Sequence, residues 1–104
     1  MELQLEIDRT AIAAFCSKWK IEDLSFFGSV LRPTFGPASD VDVLVRFAED
    51  AEWTLLDQVR MEDELSSLLG RSVDLVSRRG IERSANWIRR QAILESAEPF
   101  YVAG

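Results

Sequence analysis

A chain of 104 residues has room for one domain with one core, expected to span 1–104. Its formal net charge of -6 argues against nonspecific nucleic-acid binding, which needs clustered Lys and Arg, but leaves room for a nucleotide met by metal ions and local donors. Lack of histidine excludes histidine general bases and His-rich zinc sites, and a single cysteine, Cys16, excludes an internal disulfide. No secretory or membrane-length apolar run is present, so a cytoplasmic protein without membrane contact is expected.

In chain order, Asp8 is placed to cap a helix on which Ile12, Phe15, Cys16 and Trp19 fall at i, i+3, i+4 and i+7, one apolar face. Cys16 reads there as a small buried hydrophobe. Ile21–Phe27 reads as a strand ending at Gly28-Ser29, which begins a turn into a short helical segment through about Arg32. Glycine lets a phosphate approach the backbone, and the following N–H groups and a serine hydroxyl can bind its oxygens. As a lone dipeptide, Gly-Ser more often marks an ordinary turn. Pro33, Gly36 and Pro37 then break regular structure up to Ser39, a long loop for a tight connection.

The stretch 40–47 reads as the second strand. Alternation at Asp40-Val41-Asp42-Val43 sends both carboxylates to one face and Val41, Val43 and Val45 to the other. The valines can enter a core. The carboxylates, about 6–7 Å apart along the backbone, repel each other and raise one pKa. A bound divalent cation removes that conflict, and the simplest chemistry is a magnesium site handling phosphate.

Glu49, Asp50 and Glu52 read as a solvated loop into a helix over 54–69, with Leu55, Leu56, Val59, Met61, Leu65, Leu68 and Leu69 as its apolar side and Gly70 ending it. Glu62-Asp63-Glu64 is expected to be a solvated face. The stretch 72–77 is the third strand. Asp74 lies in its middle, where aspartate has poor propensity; an edge position or a site shared with Asp40 and Asp42 would account for it. Arg78, Arg79 and Arg83 form a basic patch, either a solvated loop or a hold on polyphosphate or a partner. Ser84 is expected to cap a helix over about 85–96, with Trp87, Ile88 and Leu94 inward and Arg89 and Arg90 exposed. Phe100-Tyr101-Val102 is expected to add a last strand.

Gly28-Ser29, ten intervening residues, Asp40-x-Asp42 in a strand and Asp74 on a later strand together resemble the minimal nucleotidyltransferase domain, related to the palm of β-type DNA polymerases. The resemblance runs from the first helix to the terminal strand. It implies an α/β fold, a mixed β-sheet flanked by helices, and transfer of a nucleoside monophosphate from a triphosphate to a hydroxyl. By position, Asp40, Asp42 and Asp74 would be the catalytic metal ligands for two magnesium ions, with Asp74 near the attacking hydroxyl. Gly28 and Ser29 would bind the triphosphate of ATP, with Arg32 a secondary candidate. Two ions roughly 3.5–4 Å apart suit in-line displacement, stabilising attacking and leaving oxygens together. Where relatives commonly follow the arginine with Gly and small or acidic residues, this chain has Pro33-Thr34-Phe35.

Small members of this family are often antitoxins encoded beside a HEPN-domain RNase toxin. The resemblance implies a tyrosine hydroxyl of that toxin as acceptor, adenylylated and so silenced. The length leaves no room for a separate acceptor domain, so another molecule or subunit is expected to shape that half of the site. Two other readings stand beside this one: an antitoxin that neutralises its partner by occlusion, and a transferase acting on a small molecule, which the lack of a second domain disfavours. An EF-hand loop is excluded, since Leu44 occupies the next ligand position and the usual glycine is missing.

Overall fold

The computed structural model describes residues 7–28 and 40–103. The chain runs α1 (Arg9–Lys18), β1 (Ile21–Phe27), β2 (Val41–Phe47), α2 (Leu55–Leu69), β3 (Val73–Ser77), α3 (Arg78–Glu82), α4 (Trp87–Ser96) and β4 (Glu98–Val102). The strands form one mixed sheet in the order β3-β2-β1-β4. β1 is antiparallel to both its neighbours, and β2 runs parallel to β3 across the α2 crossover. This is the α/β architecture expected, a mixed sheet flanked by helices. The segment from Ser29 to Arg32 lies outside the described residues.

Each helix begins where a side chain can satisfy its orphan N–H groups. Asp8 Oδ1 accepts from the Thr10 and Ala11 amides, as its position before the apolar repeat predicts. Thr54 and Asp57 form a reciprocal capping box that starts α2. Gly70 ends α2 at φ +66°, a left-handed turn suited to glycine.

The sheet is covered on both faces, which explains why β2 is apolar at both parities over Val43-Leu44-Val45. Val41, Val43 and Val45 enter the larger core with Ile12, Phe15 and Cys16 of α1 and Met61, Leu65 and Leu69 of α2. On the other face, Leu44 and Phe27 pack with Ile81 of α3 and Ile93 of α4. Cys16 is fully buried, and burial, followed by the negative charge of Asp23, pushes its thiol up to about 12. It is the inert hydrophobe expected.

Several expectations need correction. The helix expected over 85–96 starts later. Asn86 is the cap, its Oδ1 accepting from the Arg89 amide, while Ser84 Oγ accepts from the Asn86 amide and forms a local turn before the helix. At about 100° per residue, Trp87 and Ile88 lie more than a right angle from the buried Ile93. They are 60% and 65% exposed, not inward. Of α2's apolar residues, Leu55, Leu56, Val59 and Leu68 are also exposed, because the helix rests on the sheet through the narrower Met61–Leu65–Leu69 stripe. The Arg78–Arg79 stretch is helical, capped by Ser77 and supported by an Arg78–Glu82 pair at 3.1 Å. It is too short for periodicity to reveal.

The acidic cluster of α2 is not a uniformly solvated face. Asp63 is exposed, but Glu62 Oε2 accepts from the Leu75 amide at 2.9 Å. Glu64 Oε2 accepts from Trp19 Nε1 at 2.9 Å and Lys18 Nζ at 3.0 Å, tying α2 to the end of α1. Burial pushes the Glu64 carboxyl up, but the Trp19 and Lys18 hydrogen bonds and the Lys18 charge outweigh it and hold the group below its ordinary 4.5. A carboxyl depressed by folding contributes stability that is present above its unfolded value and lost as pH falls through the folded one. Glu64→Gln is therefore expected to lower the melting temperature at pH 7 and to lower it by less near pH 3. Equal losses at both pH values would show that packing, not charge, carries the contact.

Candidate active site

The site lies at the end of the sheet where β1 finishes and β2 begins. Phe27 pairs with Asp42 across the antiparallel strands, and Gly28 follows immediately. Gly28 takes φ +76°, and a Cβ built there would overlap Asp42 Oδ2. Glycine is thus needed twice over, for the left-handed backbone and for the space the carboxylate occupies. One strand further, Asp42 is the register partner of Asp74 in the parallel β2–β3 pair. Partners in register share a face, and neighbouring strands lie about 4.8 Å apart. The two aspartates, far apart in sequence, are therefore set side by side.

Asp40 stands just before β2, exposed, where the Val41 amide bonds the Ser72 carbonyl at 2.9 Å and ties the start of β2 to the approach of β3. Burial, then the negative charges of Asp74 and Asp40, push the half-buried Asp42 carboxyl above its ordinary value; the positive charge of Arg89 partly opposes them. Asp74 and Asp40 thus both act electrostatically on Asp42. Among the described residues, no three His, Cys, Asp or Glu side chains are gathered into a ready metal cage. Ser29 and Arg32, the other expected site residues, lie outside the described residues.

The edge position expected for Asp74 is the one observed. β3 is an edge strand, and its aspartate faces Asp42. The edge is closed by one side of α2. Gln58 Nε2 donates to the Leu75 carbonyl at 3.2 Å, Glu62 accepts from the Leu75 amide, and Ser66 Oγ accepts from the Val73 amide at 3.1 Å. These residues, spaced by four, share a helix face and replace a missing strand. They fix the backbone on either side of Asp74. The spacing of Gln58, Glu62 and Ser66 was the available signal, masked by reading Glu62 as solvated.

A cavity of about 480 Å³ opens at the opposite end of β2 and β3, lined among others by Arg46, Phe47, Trp53, Ser77 and Arg78. Two of its cations are already committed, Arg46 to Glu22 and Asp23, and Arg78 to Glu82.

Comparison with known proteins bears on the whole of this arrangement. Residues 9–98 match the family model described as "Nucleotidyltransferase domain". The chain belongs to that family. A Methanocaldococcus jannaschii relative of this nucleotidyltransferase domain, named "Putative protein adenylyltransferase MJ0128", is 40% identical over 65 residues, covering 62% of this chain and 64% of its own length. The matched stretch spans less than two thirds, 62–64%, of the length of this and four further relatives from that organism. A solved "putative minimal nucleotidyltransferase" is similar at 38% identity with TM-score 0.68, over 88% of each chain. A toxin-antitoxin crystal structure with AMP-PNP gives TM-score 0.72 at 22% identity, over 93% of this chain and 75% of that one. The complex of a tri-AMPylated Shewanella oneidensis HEPN toxin with its MNT antitoxin gives 0.63 at 22% identity, over 91% and 70%. These last two likenesses speak for the fold of the nucleotidyltransferase domain alone. Among its described residues, no helix is long and apolar enough to cross a membrane.

Proposed function

We propose that this nucleotidyltransferase domain moves AMP from ATP to a tyrosine hydroxyl of a HEPN-domain toxin and so acts as its antitoxin, in the cytoplasm where ATP is supplied. The observation that carries the reading is the register pairing of Asp42 with Asp74 beside the side-chain-free Gly28. The name of the M. jannaschii relative supports protein adenylylation, and the S. oneidensis complex, with its AMPylated HEPN toxin, supports the class of acceptor.

Asp40, Asp42 and Asp74 fit hard cations, and would hold two magnesium ions. When bound, the ions neutralise the carboxylates and stabilise charge on the attacking and leaving oxygens. Asp42, half-buried at the centre, anchors the donor side. Asp74, exposed on the edge strand, would stand on the acceptor side. Gly28 leaves room for the Asp42 carboxylate and would let the triphosphate approach its backbone, with Ser29 and Arg32 following in sequence. The tyrosine oxygen forms a bond to the α-phosphorus, the bond to the bridging oxygen breaks, pyrophosphate leaves, and the phenolic proton goes to solvent.

The test incubates the purified chain with magnesium, each nucleoside triphosphate in turn, and the HEPN-domain protein encoded beside it. Intact-mass measurement is expected to show one or more adenylyl groups on the partner, with ATP preferred and with nothing added by Asp74→Asn. Neutralisation of the partner without any mass gain would replace this reading by occlusion. The exposed Leu55, Leu56 and Val59 of α2 give that second reading a binding surface.

A further inference from the structure

α4 crosses the sheet face that carries Asp42. Its buried residue, Ile93, packs with Phe27 and Leu44. Phe27 is the register partner of Asp42, and Leu44 is the next residue of β2 on the same face. The rotation of α4 is fixed by Ile93 and by Arg90, whose Nη1 donates to the Glu82 carbonyl at 3.3 Å. Arg89 precedes Ile93 by four positions, about 40° away around the helix and one turn nearer its start. Arg89, exposed, therefore lies on the same side of α4 as Ile93, away from Trp87 and Ile88.

Several other guanidinium groups of the chain are already engaged. Arg46 is held by Glu22 and Asp23, Arg78 by Glu82, Arg90 by a carbonyl, and Arg9 by the Phe100 carbonyl and ring. At Arg89 the backbone amide is bound by Asn86, but the guanidinium has no hydrogen bond or ion pair among the described residues. Its charge nevertheless acts on Asp42. A cation that acts on a carboxylate without closing a salt bridge to it is placed for a ligand bringing its own negative charge. Once cations occupy the carboxylates, their hold on the guanidinium weakens. Its planar fork of donors then matches phosphate oxygens bidentately.

We propose that Arg89 is a nucleotide-binding residue of this site, engaging the β- and γ-phosphates of the triphosphate above the Asp42–Asp74 pair. The assignment rests on the nucleotidyl-transfer reading and names a residue on an element outside the Gly-Ser and Asp-x-Asp stretches.

The test needs no acceptor. Calorimetric titration with magnesium and a non-hydrolysable ATP analogue, and separately with AMP, is carried out on the wild type, Arg89→Ala, Arg89→Lys and the exposed control Arg83→Ala. Loss of a hydrogen-bonded charged contact predicts that Arg89→Ala weakens the triphosphate analogue by roughly 10–100-fold. AMP, which lacks both outer phosphates, is expected to bind within about twofold of the wild type, a selectivity that a merely structural role for Arg89 would not produce. Arg89→Lys should fall between, Arg83→Ala should match the wild type, and melting temperatures without ligand should be similar. Equal weakening of analogue and AMP, or no weakening of either, overturns the assignment and leaves Arg89 as a counter-charge for Asp42. Failure of the wild type itself to bind the analogue sinks the nucleotidyl-transfer reading and this assignment together.

Discussion

Asp42→Asn is expected to make the free protein more stable while abolishing transfer. The change keeps the side chain's volume and removes its charge. Burial and the neighbouring Asp74 and Asp40 charges raise the Asp42 carboxyl above 3.8, so ionised Asp42 opposes folding. With a raised folded value, the native state binds more protons than the unfolded chain over the interval above 3.8, and stability falls as pH rises through it. The asparagine variant lacks that slope. Its melting temperature should therefore exceed the wild type's at pH 7, and the gap should close toward pH 4. Adenylyl transfer should fall by at least about a thousandfold, some 4 kcal/mol of transition-state stabilisation, because the amide cannot replace an anionic ligand. A variant less stable at every pH, with transfer retained, would remove Asp42 from the centre of the site.

Gly28→Ala combines two penalties, and Gly70→Ala separates them. Both glycines lie in the left-handed region, at φ +76° and +66°. A β-carbon at Gly70 meets nothing within 4 Å, so that variant pays backbone strain alone, about 1–2 kcal/mol or several degrees in melting temperature, with transfer intact. At Gly28 the added carbon also displaces the Asp42 carboxylate. Transfer is expected to drop by more than roughly tenfold, on the scale of a displaced catalytic group. A double-mutant cycle makes the point sharper. Against Asp42→Ala, which removes the obstructing oxygens, Gly28→Ala should cost less stability than it does in the wild type. Additive losses would mean that the two residues do not contend for the same space.

The sheet was readable because period-two patterns are simple. Val41, Val43 and Val45 report a core on one side, and Asp40 and Asp42 mark the other. The helices were harder, because a stripe's existence does not reveal its covered width. Met61, Leu65 and Leu69 fill the contact with the sheet, so Leu55, Val59 and Leu68 on the same helix remain outside. Polar residues were harder still. Glu62 and a freely solvated glutamate look alike until β3 is known to be an edge with amides to satisfy. Arg89 and Arg90 are adjacent and chemically identical in sequence; their different surroundings follow from the phase of α4, which Ile93 sets. Asp74 drew notice as a misfit in its strand, since a charge among Val73, Leu75 and Val76 requires a reason.

Side-by-side placement of Asp42 and Asp74 also gives the ligand a role in quality control. A slip of one residue between β2 and β3 would turn Asp74 toward the apolar core and bring Val73 or Leu75 to the catalytic face. The mispaired chain would have no site. On the function proposed above, ions and nucleotide would bind the correctly zipped strands alone and draw the population toward them by mass action. Substrate would then act as a proofreader of strand alignment, and a domain short of ATP would be checked less stringently than one that is working.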